Sequence, residues 1–150
     1  MQPGEPFTKV EEFLRAESTL VLSVSDSSGA VHSAPLFYWP GEQLRLYWIS
    51  EEKSRHSQAI LANPQVSVAV FHSTFDWRAI AGVQMQGTAA VVEDGQRNTV
   101  LAGYKARFHL KHVFAAILAA STLYCFRPAW VRYTDNQSLF SRKFELTLHS

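Results

Sequence analysis

The chain has 150 residues, which is the length of one domain, so we expect a single unit over residues 1–150. It is 47% hydrophobic and 18% charged, which excludes a disordered or fibrous chain. The net charge of +1 gives no reason to expect nucleic acid or a membrane surface as a partner. Cys125 is the one cysteine, which excludes an intramolecular disulfide and favours the cytoplasm.

Neither a targeting segment nor a membrane-spanning stretch is expected. The N-terminal residues show no basic stretch followed by an apolar run. The longest apolar run, residues 113–120, is far shorter than the roughly twenty residues that a membrane-spanning helix needs.

The first third of the chain is predicted to form a helix followed by three strands. Residues 6–16 place apolar side chains on one face of a helical period. Residues 19–25, 31–39 and 43–50 are rich in β-branched and aromatic residues, which predicts strands. The Asp-Ser-Ser-Gly turn at 26–29 joins the first two as a hairpin, because its glycine can take the positive φ that such turns need.

The rest of the chain alternates between helical and strand patterns. In order these are helix 51–62, strand 65–72, strand 78–92, a helical stretch 93–120 that divides near 108–111, strand 122–134 and strand 139–148. Gly82 and Gly87 lie inside the long strand and predict a bulge or bend there. Pro128 cannot donate to a ladder, so its strand is predicted to be bent or at an edge.

These elements predict a mainly β fold with inserted helices. The six or seven strands are joined mostly by tight turns, which favours an antiparallel sheet that closes as a barrel. A doubly wound parallel sheet is disfavoured, because the first three strands leave no room for crossover helices.

The segment 50–58 is the best candidate for an anion site. Ser50, Lys53, Ser54, Arg55 and His56 crowd cations and hydroxyl groups at the point where a strand gives way to a helix. Backbone N–H groups at a helix N-terminus bind anions, so these residues predict a phosphate site. The alternative is an ordinary solvated helix start, capped by Ser54 alone.

Other side chains give weaker indications. Aromatic residues in 33–39 and 46–48 could stack on a planar ring, or fill the core or a dimer interface. His109 and His112 have a spacing compatible with metal, but no nearby Glu or Cys completes a ligand set, which favours a surface helix. His72 and Asp76 could form a catalytic pair, but no activated serine accompanies them. Cys125 lies in an apolar strand and is predicted to be a buried, unreactive thiol.

Three stretches of the chain carry a resemblance to a known superfamily: LVLSVSDSSGAVHSAPLFYW, QLRLYWISEEKSRHSQAILANPQVSVAVF and IAGVQMQGTAAVV. In this order they resemble the pyridoxamine 5′-phosphate oxidase-like, FMN-binding split-barrel superfamily, over about residues 7–146. The tail, with GYKARF, WVRYTDN and SRKFEL, is similar to its small YhbP-like branch. The resemblance implies an antiparallel split β-barrel that forms a homodimer with FMN at the interface.

The resemblance also implies a role for the anion site. Ser50 and the run Ser54, Arg55 and His56 match family residues that bind the FMN phosphate. His56 stands where the family has a lysine, which weakens the positive charge unless the imidazole is protonated or Lys53 compensates.

The flavin ring would lie along the second strand. Ala34 and Trp39 replace the Arg and Lys that end this strand in the family, so two polar flavin contacts are lost. The ring is therefore expected to depend on backbone groups of Leu36, Phe37 and Tyr38.

Four more positions follow from the resemblance. Gln84 matches a family glutamine one position out of register, and Arg142 matches an arginine that contacts the cofactor. Ser138 and Phe140 replace the Arg and His that handle substrate in the oxidases, so pyridoxamine phosphate oxidation is not expected.

The expected function is that of an FMN-binding flavoprotein, an oxidoreductase of unidentified substrate in which the flavin supplies the redox chemistry. No residue pair in the sequence identifies a catalytic acid or base. Two alternatives stay open: a non-catalytic flavin- or haem-binding dimer, and a deazaflavin-dependent reductase.

Overall fold

The computed structural model describes residues 4–110, 115–137 and 142–149. Its helices and strands, in chain order, are α1 (Glu5–Ala16), β1 (Thr19–Ser25), β2 (Val31–Phe37), β3 (Trp39–Pro40), β4 (Leu46–Ser50), α2 (Arg55–Ala62), β5 (Gln65–Phe71), β6 (Ala81–Val91), α3 (Asp94–Phe108), α4 (Ala115–Ala120), β7 (Thr122–Asp135) and β8 (Arg142–Thr147). Short 3₁₀ turns precede β4 and β6, at Glu42–Leu44 and Trp77–Ala79. None of the described helices combines the length and the apolar character that crossing a membrane requires.

The described strands form one antiparallel sheet in the order β2-β1-β5-β6-β7-β4-β3, with β8 added beside β7. One edge of β7 pairs with β6 along nearly its whole length. Its other edge pairs with β4 through residues 122–126 and with β8 through residues 130–135. The prediction of a mainly β, antiparallel split β-barrel with inserted helices is confirmed.

A bulge interrupts the long β6–β7 ladder at Gly87. The register shifts there, so that Gln86 faces Trp130 while Gly87 faces Pro128. A Cβ atom at Gly87 would overlap the carbonyl oxygen of Arg127, so the close approach of the two strands requires glycine. Pro128 stands at this bulge, inside the sheet rather than at an edge. The predicted bulge is not found at Gly82, which pairs in regular register with Phe71 and Thr134.

Three elements begin later than the sequence predicts. The strand expected over 78–92 begins at Ala81, because a 3₁₀ turn occupies Trp77–Ala79. The third long strand begins at Leu46 because Gln43 and Leu44 take positive φ values of 57° and 60°, which breaks the extended chain. The next helix begins at Arg55, because Ser54 adopts extended backbone and caps it.

The helical stretch after β6 divides where predicted. His109 takes a φ of 53°, the left-handed conformation that ends α3. The final strand is described from Arg142 onward, and the earlier part of its predicted range, residues 139–141, lies outside the described residues.

The core lies inside the curled sheet and is closed by α1. Trp48, Tyr38 and Phe126 are among its largest fully buried side chains. The Tyr38 hydroxyl donates to the Leu14 carbonyl at 2.6 Å and so ties the end of β2 to α1. Cys125 is buried, as predicted, and burial raises the pKa of its thiol.

Candidate functional site

The predicted anion site lies at the junction of β4 and α2. Ser50 ends β4 in register with Thr122 of β7, so the sheet fixes its position. A turn closed by a hydrogen bond from the Ser54 N–H to the Glu51 carbonyl then leads into α2. We call Ser50, Ser54, Arg55, His56 and Ser57 the α2 cradle.

Hydrogen bonds join four side chains of the α2 cradle into one network. His56 Nε2 lies 2.8 Å from Ser50 Oγ and 3.3 Å from Ser54 Oγ. Ser54 Oγ lies 2.7 Å from Ser57 Oγ and accepts from the Ser57 backbone N–H at 3.3 Å. Ser57 lies inside the predicted segment 50–58 but was not among the residues expected to contact the cofactor.

The cations of the α2 cradle lie at its rim. His56 is partly buried, and this burial lowers the pKa of its imidazole below the ordinary value of 6.5. Arg55 and the adjacent Lys53 are exposed, and the first turn of α2 contains no acidic residue. The first backbone N–H groups of a helix have no partner inside it and carry partial positive charge. The α2 cradle therefore presents donors and positive charge suited to a phosphate.

Leu36, Phe37 and Tyr38, the residues predicted to contact the flavin ring, differ in the direction of their backbone groups. The Tyr38 N–H donates to the Ser18 carbonyl on the β1 side at 3.2 Å. Because hydrogen-bonded pairs alternate along an antiparallel ladder, Leu36 also directs its backbone groups toward β1. Phe37 directs its N–H and C=O toward the free edge of β2, so it alone of the three offers backbone groups there. Its ring is 55% exposed and stacks on Phe108, with centroids 4.7 Å apart.

Gln84 lies on the outer face of the sheet, in the middle of β6. Its partners across the ladders are Ala69 on β5 and Arg132 on β7. Its side chain is exposed, and no hydrogen bond among the described residues joins it to the α2 cradle. A cofactor contact at Gln84 stays a prediction.

Arg142 is engaged by a buried carboxylate. Its Nη2 lies 3.2 Å from Oδ2 of Asp135, a fully buried side chain that also accepts from the Tyr133 hydroxyl at 2.8 Å. Burial alone would raise the pKa of Asp135, but hydrogen bonds from Tyr133, the Gln137 N–H and Arg142 together lower it. Arg142 thus neutralises a buried charge, and a cofactor contact of its own stays a prediction.

The residues that the sequence indicated more weakly have other partners or structural roles in the fold. His72 Nδ1 lies 2.9 Å from Oε1 of Glu17, whereas Asp76 accepts from the Arg78 N–H, so His72 and Asp76 do not form the pair that was considered. His109 caps α3. The described residues contain no group of three or more His, Cys, Asp or Glu placed to hold a metal ion. His112, Ser138 and Phe140 lie outside them.

Comparison with known proteins identifies relatives over most of the chain. The sequence profile of the family described as pyridoxamine 5′-phosphate oxidase matches residues 7–135. A UPF0306 protein from Haemophilus ducreyi is 27% identical over 112 residues, which cover 74% of this chain and 75% of that protein.

Solved structures share the fold at lower identity. The conserved hypothetical protein Rv2991 from Mycobacterium tuberculosis superposes with a TM-score of 0.77 at 16% identity, over 88% of this chain and 86% of its own. HutZ, described as the heme storage protein of Vibrio cholerae, has a TM-score of 0.68 at 21% identity, over 83% and 89%. At these identities the structures show a common fold alone. The family profile spans α1 through β7, so the chain belongs to the pyridoxamine 5′-phosphate oxidase family, as its sequence predicts.

Proposed function

We propose that this protein binds FMN, with the FMN phosphate on the α2 cradle, and acts as a flavin-dependent oxidoreductase. The observation that carries the proposal is the network of Ser50, His56, Ser54 and Ser57 at the start of α2. It gathers hydroxyl donors beside the positive end of a helix, where an anion is stabilised.

The donor set of the α2 cradle fits a phosphate monoester. The backbone N–H groups of Arg55 and His56, which have no partner inside α2, can donate to phosphate oxygens. The partly exposed Ser54 hydroxyl would join them on releasing the Glu51 carbonyl, to which it donates at 2.8 Å, whereas Ser57 is fully buried and supports Ser54 from behind. Arg55 can add a charge-assisted, bidentate contact. Without an anion, a cation at this end of the helix opposes the helix dipole, so Arg55 is better explained by ligand binding than by folding.

The free edge of β2 is the proposed place for the polar edge of the flavin ring. Only Phe37 among the three predicted strand residues has its backbone N–H and C=O directed there. Bound flavin supplies hydride or electron transfer, and the protein supplies position and electrostatics. The replacement of two substrate-handling residues by Ser138 and Phe140 argues against pyridoxamine phosphate as the substrate.

A homodimer is part of this proposal. Phe71, Phe75, Trp77 and Ile80 lie close together in sequence and are each at least 45% exposed. Exposed large apolar side chains grouped in this way mark interaction sites in soluble proteins, and a second copy arranged with twofold symmetry would cover those of both chains. Sedimentation at micromolar concentration should give twice the mass of the chain, and the mass of one chain would contradict the dimer.

The alternative with support from the comparisons is haem. HutZ, which shares the fold, is described as a heme storage protein. Haem and flavin have different absorption spectra, so one titration separates the two proposals. The purified protein is titrated with FMN and, separately, with haemin. Saturable binding of FMN with a shift of its flavin bands supports the first proposal. A Soret shift with haemin, and none with FMN, would overturn it in favour of haem.

A further inference from the structure

The last turn of α3 contacts the end of β2 through two neighbouring residues, Arg107 and Phe108. The Cζ atom of Arg107 lies over the ring of Tyr38, 5.2 Å from its centroid, and Tyr38 is fully buried. The Phe108 ring stacks on the exposed ring of Phe37, with centroids 4.7 Å apart. Successive side chains along a strand point to opposite faces, so Arg107 and Phe108 together hold this strand end from both faces.

Arg107 also binds the carbonyl groups at the end of α1. Its Nη1 donates to the Arg15 carbonyl at 3.2 Å, and its Nη2 donates to the carbonyls of Leu14, at 3.4 Å, and Glu17. The Tyr38 hydroxyl donates to the same Leu14 carbonyl at 2.6 Å. The last carbonyls of a helix have no partner inside it, so these bonds satisfy them. One guanidinium therefore joins the ends of α1, β2 and α3.

The contacts of Arg107 orient backbone and ring groups and neutralise no acid. The Glu17 carboxylate pairs with His72, and within residues 4–110, 115–137 and 142–149 Arg107 forms no ion pair. The strand end that Arg107 holds is the one where the N–H and C=O groups of Phe37 point to the free edge of β2. β2 also contacts β4 and α2, the two elements that carry the α2 cradle.

We propose that Arg107 and Phe108 are positioning residues for the flavin ring, because they hold the Phe37 backbone in place at the free edge of β2. This inference rests on the proposed binding of FMN. A binding group that is already held in place does not have to be ordered when the ligand arrives, so the ligand binds more tightly. Ring and phosphate then depend on separate parts of the fold, the ring on the last turn of α3 and the phosphate on the α2 cradle.

The experiment titrates the full chain with riboflavin, with FMN and with inorganic phosphate, the last followed by histidine NMR. Arg107→Met keeps a long side chain but removes the carbonyl contacts and the cation. It should lower the affinities for riboflavin and FMN by the same factor, about tenfold, and leave the phosphate affinity unchanged. Arg107→Lys should restore part of the flavin affinity, because an ammonium group can also donate to a carbonyl and lie over the Tyr38 ring. Phe108→Leu, which removes the stacking on Phe37, should also weaken both flavins.

Arg97→Met is the matched control, since Arg97 is also on α3 and its Nη2 donates to the carbonyls of Leu118 and Ser121 at the end of α4. It should bind all three ligands like the wild type, and thermal melting shows which variants remain folded.

Folded Arg107→Met and Phe108→Leu that bind riboflavin like the wild type would overturn this inference and leave FMN binding intact. Equal losses of riboflavin and phosphate affinity in Arg107→Met, or equal losses in Arg107→Met and Arg97→Met, would also overturn it. A wild type that binds neither flavin would overturn the proposed function itself, and this inference with it.

Discussion

Ser50 and His56 lie 2.8 Å apart, Oγ to Nε2, and so join the last residue of β4 to the first turn of α2. The bond holds the imidazole beside the hydroxyl groups and the helix N–H groups of the α2 cradle. Burial lowers the pKa of His56, whereas a bound anion would favour the protonated imidazole. Protonation of His56 and occupation of the α2 cradle should therefore be linked.

Inorganic phosphate should raise the pKa of His56, because a nearby anion stabilises the imidazolium. The measurement is an NMR titration of the histidine ring protons with and without phosphate at constant ionic strength. His32, which pairs with Asp26 in the β1–β2 hairpin, provides the internal control and should not respond. If the pKa of His56 is the same with and without phosphate, the anion site is contradicted.

The lowered pKa of His56 also determines how the free energy of unfolding depends on pH. With a folded-state pKa below the ordinary 6.5, the unfolded chain binds the proton more readily. The stability that neutral His56 contributes is present above about pH 6.5 and declines as the pH falls toward the lowered value. In His56→Gln, the free energy of unfolding measured with urea should depend less on pH in this range.

Two glycines of α3 should respond to alanine in opposite ways. A Cβ atom at Gly103 would overlap the Trp39 indole, whereas one at Gly95 meets nothing within 4 Å. Gly95→Ala should stabilise the protein by about 0.4–1 kcal/mol through reduced unfolded-state entropy. Gly103→Ala should cost about 1–3 kcal/mol through overpacking. Urea unfolding measures both, and a stabilised Gly103→Ala would show that α3 does not pack on Trp39 in this way.

Removal of Arg142 should destabilise the fold even without cofactor. Arg142→Ala leaves Asp135 buried without its cation, and we expect a cost of about 1–3 kcal/mol, reduced because Arg142 is itself half exposed. Arg15→Ala is the control, because its pair with Glu11 is exposed and should contribute little. An unchanged melting temperature for apo Arg142→Ala would assign Arg142 to the ligand instead.

The pH dependence of the Arg142→Ala effect follows from the lowered pKa of Asp135. The contribution of the ionised carboxylate is present above the ordinary value of 3.8 and is lost as the pH falls through the lower, folded value. The difference in the free energy of unfolding between Arg142→Ala and the wild type should therefore become smaller as the pH falls.

Local signals predicted much of the fold. The first strand has the predicted bounds, because alternating burial and a glycine turn leave little freedom at its ends. The prediction that Gly29 takes a positive φ is confirmed at 87°, and Gly87 marks the predicted bulge. The start of α2 was predicted four residues too early, at 51, although Ser54 was recognised as a possible capping residue.

Long-range pairings were beyond sequence reasoning. His72 contacts Glu17, which is 55 residues away in the chain, and no periodicity signals such a partner. Asp135 looks like a turn residue after a strand, and only the fold reveals that it is buried against Arg142. Gln43 and Leu44 take positive φ values inside a strand-like pattern, and Leu44 is buried in the core.

The most direct test of FMN binding at the α2 cradle compares FMN with riboflavin, which lacks the phosphate, in the wild type and in Arg55→Ala. Hydrogen bonds to charged groups contribute about 1.5–3 kcal/mol, so FMN affinity should fall roughly 10- to 150-fold in the variant. Riboflavin affinity should be nearly unchanged, and Arg15→Ala should bind both like the wild type. Equal losses of FMN and riboflavin affinity in Arg55→Ala would contradict the assignment of the phosphate to the α2 cradle.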